Sequence, residues 1–164
     1  MEKPKINPPL RRLDQLFEAL SMLCVIYMVA QLIFEYPGLT ETVPTHFGAS
    51  GSPDDWGNKT SLLILPLVGI IMYAGLTVLN FYPYIFNFPV QITEKNAEKQ
   101  YQLAKSLIST LKFMVIVLFL YIQIQTINVA KELQPGLGVN FLIIALIGTF
   151  LPIIIYFILS LKNK

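Results

Sequence analysis

Cysteine, histidine and tryptophan are nearly missing: Cys24, His46 and Trp56 each occur once. A lone cysteine excludes an internal disulfide and a zinc site built on thiolates. Cys24 lies inside a hydrophobic run and is expected to be inert packing. With one histidine and no nucleophile elbow, neither a Ser–His–acid nor a Cys–His arrangement is supported. Charge is scarce too. Charged residues make up 13% of the chain, against roughly a quarter in soluble proteins. A net charge of +2, without a basic stripe interleaved with aromatics, argues against nucleic acid as a partner. Gly57-Asn58-Lys59-Thr60 ends like a phosphate-binding loop but lacks the preceding strand and the glycine at the required spacing.

Apolar length is what the chain has instead. Hydrophobic residues account for 54% of its 164 positions, and they fall into blocks near the roughly 20 residues needed to cross a bilayer. Four spans are expected at about 16–35, 61–82, 107–130 and 138–161. The first run is too long for a removable signal peptide and no small-residue cleavage site follows it, so it is expected to stay as an anchor. The fold class is therefore an all-α polytopic membrane protein. It is a bundle of four transmembrane helices with a structured extracytoplasmic loop between the first two. Residues 1–15, with Pro4, Pro8 and Pro9, form an arm that is mobile or lies on the surface, and residues 16–164 form one membrane domain.

Polar groups inside the spans mark particular faces. Cys24, Met28, Gln31 and Glu35 recur at helical spacing, so Gln31 and Glu35 should face the bundle or the water boundary rather than lipid. Lys112 is expected to snorkel to the nearer surface. Gln123, Gln125, Thr126 and Asn128 either bond neighbouring helices or line a polar vestibule. Thr93 is expected to cap a helix with Glu94 in its first turn, running without a break into the third span. Nine Lys and Arg residues lie in the arm, in the 83–106 connection and in the C-terminal tail, against Lys59 and Lys131 on the other side. This asymmetry places both termini in the cytoplasm and the loop at 36–60 outside, in a cytoplasmic (inner) membrane.

That outer loop carries the chemistry. Gly48, Gly51 and Gly57 permit tight turns, while Pro44 and Pro53 stiffen the segment. His46 can titrate near neutrality. It could also share an ion with Asp54, Asp55, Glu41 or Glu35. Trp56 suits a membrane interface, and Lys59 could pair with Asp54, Asp55 or Glu35. Candidate ligand-binding residues are His46, Gly51, Asp54, Trp56, Gly57 and Lys59, with Glu35 and Gln123 from the adjoining spans. The loop is expected to fold back over the bundle and bring His46 and Lys59 toward Glu35 and the 123–128 end of the third span.

Two motifs carry a resemblance. Val43-Pro44-Thr45-His46-Phe47-Gly48, Gly51-Ser52-Pro53-Asp54 and Trp56-Gly57-Asn58-Lys59 form the first. Asn87-Phe88-Pro89-Val90, Ile92-Thr93-Glu94, Asn96-Ala97 and Gln100-Tyr101 form the second. Together they resemble a bacterial membrane domain-of-unknown-function family found at the N-terminus of the immunity protein of the sporulation-delaying toxin system. The resemblance implies a multi-span protein linked in some members to toxin protection and signalling. It also adds Asn87, Pro89, Thr93, Glu94, Asn96 and Tyr101 as a cytoplasmic motif. The leading expectation is a bilayer-embedded recognition module that meets a peptide, toxin or envelope ligand on its outer face, with no cofactor, no metal and no catalytic residue. The alternative is a membrane-embedded metal-dependent enzyme or small transporter centred on His46 and the nearby carboxylates.

Overall fold

The computed structural model describes residues 2–164. Four long helices follow the apolar blocks: α1 (Arg12–Glu35), α2 (Ile64–Leu79), α3 (Ala97–Ala130) and α4 (Phe141–Lys162). All four, α2 counted together with the helical turn Lys59–Leu63 that precedes it, are long and apolar enough to cross a membrane. Their outward faces stay apolar: Ile33 and Phe34 on α1, Ile71 on α2, and Ile143, Ile144 and Ile147 on α4 are exposed. A soluble monomer does not leave apolar area on this scale facing water. Lipid is the solvent these helices fit, and the chain is a multi-pass membrane protein.

Helix ends differ from expectation where local hydrogen bonding decides them. α1 starts inside the segment expected as an arm, because Asp14 reaches back to accept from the Arg11 backbone N–H at 3.1 Å. α3 starts at Ala97 rather than Glu94. Asn96 is its N-cap residue, and its Oδ1 accepts from the Thr93 N–H at 2.8 Å, tying up the turn before the helix. α2 is preceded by a 3-10 stretch, Lys59–Leu63, capped by the Asn58 side chain on the Thr60 N–H. α4 passes through Pro152.

α3 is the central element; the other three helices all pack on it. Polar side chains seal these contacts. Gln100 is fully buried. Its Nε2 donates to the Ser160 and Asn163 carbonyls at 2.9 and 2.7 Å, fastening the end of α4. Farther along, Gln123 Nε2 donates to the Met28 carbonyl at 2.8 Å and to Gln31 Oε1 at 3.2 Å, fastening α1. Gln123, expected as a ligand group, is thus fully buried in the bundle.

The loop between α1 and α2 contains the only β-structure among the described residues. Strand β1 (Thr42–Phe47) pairs antiparallel with β2 (Pro53–Asn58). Val43 is fully buried and packs with Leu32, Leu39, Leu62 and Ile127, so the base of the hairpin plugs one end of the bundle. The loop does fold back onto the bundle, as expected, but it leaves His46 exposed instead of carrying it toward Glu35 and the 123–128 end of α3.

Candidate functional site

The hairpin sorts its residues into those that hold it and those that project. Lys59 holds the base. Its backbone N–H donates to the Glu41 carbonyl at 2.9 Å, and its ammonium lies 3.0 Å from the Glu41 carboxylate. The ammonium also donates to the Leu39 carbonyl at 3.4 Å and sits 5.1 Å from the centre of the Tyr36 ring. Lys59 therefore meets Glu41, not Asp54, Asp55 or Glu35. Glu35 pairs instead with Lys131, linking the C-terminal ends of α1 and α3.

Three glycines act through close approach. Gly57 faces Thr45, whose Cγ2 would lie 2.9 Å from any Cβ added there. Gly51 has φ of +81°, in the region that favours glycine. Its carbonyl accepts from the Leu137 N–H at 2.7 Å. A Cβ on Gly51 would meet the Gly138 carbonyl oxygen at 2.5 Å, and one on Gly136 would meet the Gly51 carbonyl oxygen at 2.1 Å. The hairpin tip is thus docked backbone-to-backbone on the α3–α4 turn.

The projecting set is His46, Asp54, Asp55 and Trp56. The ladder slips around Pro44, His46 and Phe47, so the strands do not alternate regularly. These irregular steps bring His46 Nδ1 to 2.6 Å from Asp54 Oδ1. Thr45 Oγ1 donates to Asp55 Oδ2 at 3.1 Å. The His46 and Asp54 side chains remain 69% and 51% exposed, and Trp56 is 48% exposed. Of the carboxylates that could have joined His46, Glu41 holds Lys59, Glu35 holds Lys131 and Asp55 holds Thr45. Among the described residues no group of three metal-ligating side chains converges.

On the opposite face, the second motif builds a seat for the arm. The Tyr101 hydroxyl donates to the Pro4 carbonyl at 2.9 Å. The Phe88 ring packs 5.4 Å from Tyr101, centre to centre, and Lys3 sits 5.4 Å above Phe88. Lys105 donates to Asn7 Oδ1 and to the Pro8 carbonyl. Thr93 and Asn96 shape the turn, whereas Asn87, Pro89 and Glu94 are exposed.

A third cluster escaped the sequence reading. Lys112 does not snorkel. It is fully buried, pairs with Glu18 of α1, donates to Thr77 Oγ1 of α2 at 2.7 Å, and lies 4.7 Å from the Tyr73 ring centre. Ser109 Oγ donates to Glu18 at 3.3 Å and accepts from Asn80 Nδ2 at 3.0 Å. The available signal was the pair of opposite charges, Glu18 and Lys112, each inside an apolar block near the same end of the bundle.

A family described as a domain of unknown function (DUF1648) matches residues 22–70, less than half of the chain. The matched segment takes in most of α1, the whole hairpin and the start of α2, and stops before the Asn87–Tyr101 motif. An uncharacterized protein of Archaeoglobus fulgidus is 36% identical over 93 residues, which is 51% of this chain and 51% of that protein. The chain thus spans about half the length of this curated relative. No solved structure matches.

Proposed function

We propose that the protein is a membrane recognition module in which the outer hairpin engages a peptide or other envelope ligand. One observation carries this reading: the hairpin is rigidly seated through Val43, Gly51 and Lys59, yet His46, Asp54 and Trp56 face outward without serving the fold. A rigid platform limits the entropy lost on binding. An exposed aromatic beside a charge-capable pair offers an apolar anchor and a polar determinant. A peptide is the ligand class that the motif resemblance implies, and immunity or signalling would follow from capturing it.

Substitution separates recognition from stability here. His46→Ala and Trp56→Ala should each shift unfolding by no more than about 0.5 kcal/mol, as for surface positions. Trp56→Ala should weaken ligand capture by about 2 kcal/mol, the scale of an interface hot spot. A photo-crosslinking amino acid at Trp56, in native membranes, checks this directly. Discrete adducts that disappear with His46→Ala are expected. The same adducts from the outward-facing position Phe34 would sink the reading.

The orientation belongs to this proposal, with the hairpin outside a cytoplasmic membrane and both termini inside. In a Cys24→Ser background, cysteine at Ser52 should label from outside intact cells and cysteine at Glu98 should not. Labelling of position 98 would reverse the assignment.

A further inference from the structure

The seat of the N-terminal arm has the chemistry of a peptide-binding groove. Residues 2–11 form neither helix nor strand, and Pro4, Pro8 and Pro9 lie among them. A residue before proline is kept out of the helical region, and proline itself has no N–H to satisfy. Lys3-Pro4 and Asn7-Pro8-Pro9 are therefore stiff, extended pieces that offer carbonyls. The seat offers the matching donors. The Tyr101 hydroxyl meets the Pro4 carbonyl, and Lys105 meets the Pro8 carbonyl at 2.6 Å. Lys105 also reads one side chain, donating to Asn7 Oδ1. Phe86 and Phe88 stack beside Tyr101, so aromatic rings flank the donors. Aromatic-lined grooves that take a proline-rich extended chain are a recurring mode of peptide recognition.

The arm fills this groove loosely. Among residues 2–10 only Pro8 is buried, and a cavity of about 440 Å³ remains against Pro8, Pro9 and Leu10. Hydrogen bonds, more than buried apolar area, hold the arm in place. Tyr101 and Lys105 beneath it are 0% and 4% exposed. A segment with few buried apolar contacts opens at low cost compared with the fold around it. We propose that this seat is a docking site for an extended Asn-Pro-Pro segment of a partner protein, closed in the free protein by the arm as a built-in competitor. The arm is tethered, so it competes at an effective concentration on the order of millimolar. The seat lies at the end of the bundle away from the hairpin, and the inference is independent of what the hairpin binds.

Arm release in the full-length protein, held in nanodiscs, tests the assignment. A fluorophore on Glu2→Cys, in a Cys24→Ser background, reports arm mobility through its anisotropy. An unlabelled peptide of the Glu2–Leu10 sequence, titrated to millimolar concentration, should free the arm in a saturable way. Alanine in place of Asn7 and Pro8 of the peptide should raise the midpoint about tenfold, equivalent to about 1.4 kcal/mol. That comparison alters no further residue of the protein. Asn7→Ala in the protein's own arm should instead lower the midpoint, because it weakens the competitor. A scrambled peptide of equal charge should leave the arm in place. Release by the scrambled peptide at the same midpoint overturns the proposal, and so does an arm that stays immobile throughout. Crosslinks between the arm of one tagged copy and the seat of another, without peptide, would assign the groove to self-assembly and overturn it too.

Discussion

Lys112→Met should destabilise the bundle by about 3–5 kcal/mol, the cost of leaving one member of a buried ion pair without its partner. The side chain is fully enclosed, and the Glu18 carboxylate it would abandon is only 16% exposed. Water cannot readily replace the ammonium there. The apolar stem of methionine keeps most of the volume, so the loss reports charge rather than a cavity. Glu18→Leu combined with Lys112→Met should recover most of the stability, because replacing a whole buried pair with apolar groups is often neutral. SDS-driven unfolding of the purified protein in mixed micelles, followed by circular dichroism, measures all four members of the cycle. If Lys112→Met unfolds like the wild type, the pair does not hold the helices together.

The second large effect is expected from a single methyl group where the hairpin tip docks. Gly136→Ala places a Cβ 2.1 Å from the Gly51 carbonyl oxygen, and Gly51→Ala adds strain from its positive φ. A non-glycine residue held in that region costs about 1–3 kcal/mol. Because the clash is backbone against backbone, no side-chain rotation relieves it. The hairpin tip and the α3–α4 turn should separate while the helices persist. Amide exchange should therefore rise by tenfold or more at 48–52 and at 136–138, corresponding to about 1.4 kcal/mol of lost local stability, with α3 left unchanged. Uniformly faster exchange along the whole chain would show that the contact supports global folding instead.

The helices were legible because each apolar block is long, and in lipid a helix satisfies its backbone internally. The folding back of the loop between α1 and α2 was legible from the polar groups at the ends of the first and third spans, which need partners away from lipid. Its strands were not. Thr42–Phe47 and Pro53–Asn58 contain prolines, aspartates and a glycine, residues depleted in strands. Their slipped register also removes the two-residue alternation that would reveal a strand. Among the candidate ligand residues, sequence could not separate Lys59, which holds Glu41, from His46, which projects. That distinction depends on which side of the hairpin meets α1 and α3. The Glu18–Lys112 pair stayed hidden for a related reason. Its members are far apart in sequence, and only the packing of α1 on α3 brings them together.

α3 also has a mechanical consequence. Its 34 residues rise about 51 Å at about 1.5 Å each, well beyond a hydrocarbon thickness of about 30 Å. Tyr101, which holds the arm, and Ile127, which packs under Val43 of the hairpin, lie on this one continuous rod about 39 Å apart. A tilt of only about 5° that pivots at one of these residues would displace the other by about 3 Å. A push on the hairpin therefore has a lever through which to loosen or tighten the N-terminal strap, without any helix needing to unfold.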